Sequence, residues 1–168
     1  LLCVLSYMLL TNSLFSQVVD PNLQPDKRKQ ANWQQEVSHT IKVKLIPEKH
    51  TLEGDESIQY TNNSPVTLNE IWFHIWPNAF SDNKTVFGKE AMITGNGRYL
   101  YATADERGSV KGLDFKVNDK PAKFSYHPKY VDIIKLELPV ALAPGQTITI
   151  TTPFVVKLPH HFSRMGIN

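Results

Sequence analysis

Side chains able to do chemistry are plentiful in this sequence, but their spacing suits no familiar reaction. Six histidines are present. A helical zinc site uses two histidines four apart with a glutamate beside the first, HExxH, because that spacing sets both rings on one helix face. No such string occurs. His160 and His161 are adjacent, and neighbours in an extended segment point to opposite faces, so they do not share an ion. His39, His50 and His127 lie beside turns or among polar residues, where a solvated imidazole is the plain reading. His74, between two tryptophans, reads as packed and hydrogen-bonded. There is no GxSxG nucleophile elbow and no glycine-rich loop joining a strand to a helix to hold phosphate. The single cysteine, Cys3, sits in an apolar N-terminal run. Glu53, Asp55 and Glu56 are read as solvated strand or turn residues. By its own residues the chain therefore reads as non-catalytic, with no catalytic residue, no metal ligand and no cofactor of its own.

The elements that would position any site are strands. The densest stretch, LNEIWFHIWPNAF from Leu68 to Phe80, reads as a central strand with Ile71, Phe73 and Ile75 on one face and Trp72, His74 and Trp76 on the other. Pro77, lacking an N–H, ends its pairing. Two tryptophans on the outward face need a cover, expected from the long stretch Asn78 to Arg107 or from a downstream domain.

Taken in order, Leu1 to Leu10 is apolar but too short for a bilayer, which takes about 20 residues. It suits the core of a secretory signal, so residues 1–16 read as a signal peptide without its start and residues 17–35 as a flexible leader. That places the protein outside the cytoplasm, in the periplasm, at the cell surface or in the medium. With Cys3 removed the mature chain has no thiol. The β domain is expected over residues 36–168. Ile41, Val43 and Leu45 alternate with Lys42 and Lys44 in a half-buried strand that ends at Pro47. Leu52, Ile58 and Tyr60 mark the next, with Glu53, Asp55, Ser57 and Gln59 on its wet side.

Between Pro77 and Gly108 there is no strand period, only a short helix near Thr85 to Met92. An excursion of that length is either a surface insertion or a contact region. Alternation returns at Leu113, Phe115 and Val117, and Asn118-Asp119 makes a tight hairpin into Ala122, Phe124 and Tyr126. Ile134, Leu136 and Leu138 form another strand, Pro144-Gly145 a type II turn, and Ile148 to Leu158 the last strand, with Pro153 at a bulge or an edge. Seven strands and no long helix make an all-β fold, an antiparallel sandwich or saddle-like curved sheet with one long loop carrying a short helix. Asn62-Asn63-Ser64 and Asn83-Lys84-Thr85 match the glycosylation sequon.

Composition is that of an ordinary globular domain, 41% hydrophobic and 20% charged, with 18 basic and 16 acidic residues over 168 positions. Without a basic face, nucleic acid is not an expected partner. The chain starts at Leu1 rather than at a methionine and stops at Asn168 without a closing element, so it reads as a fragment.

Several strings together resemble one family: WQQEVSHTIKVKLIPEKHTLEGDESIQYTNNSP, EIWFHIWPNAF, LAPGQTITITTPFVVKLP and FSRMG. Spread from Trp33 to Gly166, they are similar to the N-terminal β domain of exported bacterial zinc metallopeptidases related to aminopeptidase N, the gluzincin aminopeptidases. The resemblance implies a saddle-like β domain followed by a thermolysin-like domain, downstream of Asn168, with an HExxH zinc helix and a distant glutamate ligand. It implies that this domain packs on the catalytic one and helps shape the pocket for the free amino end of a peptide. Zinc and peptide substrate would be met only through that domain, and no catalytic, metal or substrate residue carries over to this chain. The other reading is an exported β-sandwich binding or adhesion module without an attached enzyme; a sugar-binding version would use Trp72 and Trp76.

Overall fold

The computed structural model describes residues 33–160 together with Phe162 and Gly166. The expected signal segment and nearly all of the leader lie outside the described residues, as does His161. Among the described residues nine strands form two antiparallel sheets. β1 (Glu36–Ile46) and β2 (Thr51–Thr61) make a long hairpin closed by a 3-10 turn at Pro47–Lys49, where His50 takes a left-handed conformation and returns its N–H to the Pro47 carbonyl at 3.1 Å. β2 also pairs along its whole length with β9 (Thr147–Lys157), from Thr51 opposite Lys157 to Thr61 opposite Thr147. The far edge of β9 is shared by β4 (Ser109–Lys111), opposite residues 155–157, and β5 (Lys116–Val117), opposite residues 150–151.

Pro153 thus lies neither at a bulge nor on an edge strand. It sits in central β9, where the partner changes from β5 to β4 and no ladder bond is demanded of it on that side. Thr152 fills the same interruption, its hydroxyl accepting the Asp114 N–H at 3.0 Å.

The second sheet has the order β3-β8-β7, with β3 at Leu68–His74, β8 at Ile133–Leu142 and β7 at Phe124–Tyr126. The expectation of a central β3 is corrected here: β8 is central and β3 is an edge. The face assignment along β3 holds, since Ile71 is buried and Phe73 and Ile75 pack on the core while Trp72, His74 and Trp76 point outward. The expected strand from Ala122 to Tyr126 divides between the sheets. Its first residue, Ala122, follows the hairpin of β5 with β6 (Lys120–Pro121) and donates its N–H to the Phe115 carbonyl at 2.9 Å; that hairpin is turned by Asn118 and Asp119 at φ 47° and 65°, and β7 lies in the other sheet. Both positive φ values fit a type I′ turn. Gly145 at φ 76° forms the expected turn into β9, with Gln146 N–H donating to the Ala143 carbonyl at 3.1 Å.

The core is where the sheets face each other. Ile58, Phe115, Val117, Ile148 and Ile150 from one side meet Ile71, Ile134, Leu136 and Leu142 from the other. Phe115 stacks on Phe73 at 6.0 Å and meets the edge of Phe124 at 5.3 Å. Asn62, in the first sequon, is fully buried and is a structural residue: its amide donates to the carbonyls of Val66 and Leu142 at 2.8 and 2.9 Å.

The excursion builds a small core of its own. Thr85 caps α1 (Val86–Ile93) by accepting the Gly88 N–H, and Gly88 is required there because a Cβ would meet the Asn83 backbone at 2.6 Å. α2 (Gly97–Leu100) carries Tyr99, fully buried between the edges of Phe87 and Phe162, under the Arg107 guanidinium at 4.7 Å, its hydroxyl donating to the Asp82 carbonyl.

Burial holds the Tyr99 phenol above its usual range, partly offset by Thr85 and Arg107. Folding favours the neutral phenol, so its contribution to stability is complete below the ordinary tyrosine pKa and is lost as pH rises through the raised one. Tyr99→Phe is expected to flatten the alkaline limb of a melting-temperature profile; an unchanged limb would place the dependence elsewhere, with Tyr60, also raised by burial, the next residue to test.

Phe73→Ala is expected to cost about 3 kcal/mol in urea unfolding, because it empties the stack on Phe115. Trp72→Ala should cost about 1 kcal/mol, since it removes only an exposed ring and its hydrogen bond to Glu70. Equal losses would show that the two faces are not distinct.

Candidate functional site

Strand β1 has the alternation of a half-buried strand, yet Ile41, Val43 and Leu45 are 54%, 53% and 53% exposed. The expectation that they face the core is right in direction and wrong in burial. They lie on the same face as Ile58, but the three-stranded sheet opposite does not reach β1. The result is an open apolar row continuous with Leu52, Phe154 and Val156 on the strands beside it. Between this row and the end of β3 runs a groove of about 240 Å³ lined by Ile41, Phe73, Ile75, Trp76, Val110 and Phe154.

The rim of the groove is aromatic. His74 stacks flat on Trp76, centroids 4.5 Å apart, and Trp76 remains 63% exposed. Trp72, 49% exposed, lies apart from the groove lining, meets the edge of His127 and donates its indole N–H to Glu70 at 2.9 Å. The excursion, expected to cover these tryptophans, leaves them open because its own aromatic residues pack on one another.

One carboxylate interrupts the apolar face. Glu56 lines the groove and pairs with His39 on β1, Nδ1 to Oε1 at 2.8 Å. The solvated reading of Glu56 is corrected by its register: it stands opposite Ile41 and Thr152, in the same alternating row as Leu52 and Ile58. Counting by twos from Leu52 would have found it in the sequence.

The remaining histidines are separate. His127 Nδ1 accepts the N–H groups of Lys129 and Tyr130, His74 lies 4.0 Å from Asp132, and His160 Nδ1 is 3.3 Å from Glu106. Glu106 itself is held below its ordinary pKa by hydrogen bonds from the Thr103 backbone and hydroxyl. Among the described residues no three His, Cys, Asp or Glu side chains converge. A second depression, about 520 Å³ on the outer face of the first sheet, mixes Lys42 and Lys116 with Asp55 and Asp114 and presents no single charge.

The fold and its open face define an antiparallel two-sheet β domain with an apolar surface to cover. No family model matches the chain, and no curated protein matches it. Among solved structures it is similar to two crystal structures of a mutant two-domain M1 zinc metallopeptidase, one bound to L-arginine and one to L-tryptophan. In each case the identity is 12% and the TM-score 0.45, over 74% of this chain and 21% of the other. The chain therefore spans about a fifth of the length of the proteins it matches. No helix among the described residues is long and apolar enough to cross a membrane.

An open row tolerates charge and a core does not. Val43→Asp is expected to change unfolding free energy by about 1 kcal/mol or less, within the span of strand propensity, whereas Ile150→Asp, at a fully buried position, should prevent folding. Circular dichroism and urea titration of both variants check this; loss of fold in Val43→Asp would show that the row is covered.

Proposed function

We propose that this chain is the non-catalytic N-terminal β domain of an exported zinc metallopeptidase of aminopeptidase N type. In this reading the open face of the first sheet packs on a downstream catalytic domain, and the domain helps shape the pocket that receives the free amino end of a peptide. Zinc and the hydrolytic residues belong to that downstream domain. The observation that carries the reading is the open apolar row of Ile41, Val43 and Leu45 with the groove beside it. Burying one such side chain is worth about 1.5–3 kcal/mol, so a face of this kind is a strong place for a second domain to pack. The strings that resemble the family support it too: WFHIWPN forms the end of β3 and the groove rim, and TITITTPFVVK is β9.

The exposed rings of Trp72 and Trp76 favour a second reading, a binding or adhesion module that stacks sugars on them. One experiment separates the two. The coding sequence beyond Asn168 is read, and the longer protein is compared with this chain in thermal unfolding. The expected result is an HExxH helix with a more distant glutamate, and a Val43→Asp effect larger in the longer protein than in this chain. A stop codon or further sandwich domains would overturn the enzyme reading.

A further inference from the structure

We propose that β1 is a pairing edge, and that its occupant is the β1 of a second copy of this chain, added antiparallel about Ile41. Natural sheets protect their edges by keeping them short, or with bulges and prolines. Among the described residues four of the five outer strands follow that rule, β4 with only three residues. β6 has two residues and β7 three, while β3 has a register break between Leu68 and Glu70 and runs into Pro77. β1 follows none of it: its eleven residues contain no proline and pair with β2 without a register shift, and no described residue pairs with its other edge.

What selects a second copy is the sequence of the strand. The one antiparallel register that pairs all eleven residues sets Ile41 opposite itself. Val37 then faces Leu45 and His39 faces Val43, all on the open apolar side, while Ser38 faces Lys44 and Thr40 faces Lys42 on the polar side. Each residue meets one of the same alternation class, so outward N–H and C=O groups meet outward groups, and Ile41 meets Ile41 and Val37 meets Leu45, while Glu36 meets Ile46 across the polar side. No two like charges stand directly opposite. A shift by one step of two toward the C-terminal end would place Lys42 against Lys42, which is destabilising. The added strand uses main-chain bonds for affinity and alternate side chains for specificity, as strand addition does elsewhere. The pairing uses the edge of the sheet and so is independent of what covers its face.

The test uses the 168-residue chain with Cys3→Ser, so that only an introduced thiol reacts. Sedimentation equilibrium at tens of micromolar is expected to show a monomer–dimer equilibrium. Ile41→Lys, which sets two ammonium groups opposite each other on the axis, should weaken the dimer about tenfold or more while circular dichroism is unchanged. In the series Thr40→Cys, Ile41→Cys and Lys42→Cys, a short bifunctional thiol reagent should join the Ile41 variant fastest. A chain that stays monomeric, or a dimer indifferent to Ile41→Lys, overturns the proposal. Fastest joining of the Thr40 or Lys42 variant overturns the register on which it rests.

Discussion

A sheet of three strands cannot cover a face five strands wide, and the rest of this structure follows from that mismatch. Where β3 and β8 lie over β2, β9 and β5, the side chains of both sheets interlock and the aliphatic positions are almost fully buried. Beyond that overlap β1 carries the same alternation onto open surface. The exposed row is therefore no irregularity of β1. It is the part of a continuous apolar face for which these described residues supply no second layer.

Among the places where the chain crosses between the two layers, the crossing from β2 to β3 and the crossing from β8 to β9 meet at Asn62. The Asn62 N–H donates to Gln146, its carbonyl accepts from Gly145, and its amide donates to Leu142 at the end of β8. Its side-chain oxygen accepts from the N–H and hydroxyl of Ser64. A buried amide with every group satisfied costs little to bury and fixes one geometry, whereas an apolar residue there would leave several backbone groups without partners. This explains a buried asparagine beside a fully buried serine at a turn that otherwise looks like an ordinary polar cluster.

Much of this was legible in the sequence because alternation, turn chemistry and capping are local. The hairpin at Asn118-Asp119, the turn at Pro144-Gly145 and the helix after Thr85 each depend on a few neighbouring residues. The face on which Ile71, Phe73 and Ile75 lie depends only on a period of two. Partners are not local. Nothing in LNEIWFH distinguishes an edge strand with aromatic outer residues from a central strand covered twice, because both show two non-polar faces. For the same reason IKVKL reads as half-buried whether or not a sheet lies above it. Pro153 misled in the opposite direction: a proline in a central strand is tolerated where the neighbouring strand changes, and that change is set by β4 and β5, which lie more than thirty residues earlier in the chain. The candidate site was the least legible part, apart from Glu56, whose place in the row of Leu52 and Ile58 follows from counting.

The aromatic rim and the aliphatic row belong to one surface, although they come from different sheets. Trp76 and Ile41 line the same groove, and Trp76 is held there by its stack on His74. The excursion that follows Trp76 leaves that indole exposed, its Phe80, Phe87 and Tyr99 packing on one another. A partner packing on β1 would therefore meet an indole at one side and the Glu56–His39 pair within the face. Apolar area supplies the attraction, which has no direction of its own. A partner group that left Glu56 buried without a donor would carry a desolvation penalty, so the carboxylate sets the orientation in which the face can be covered.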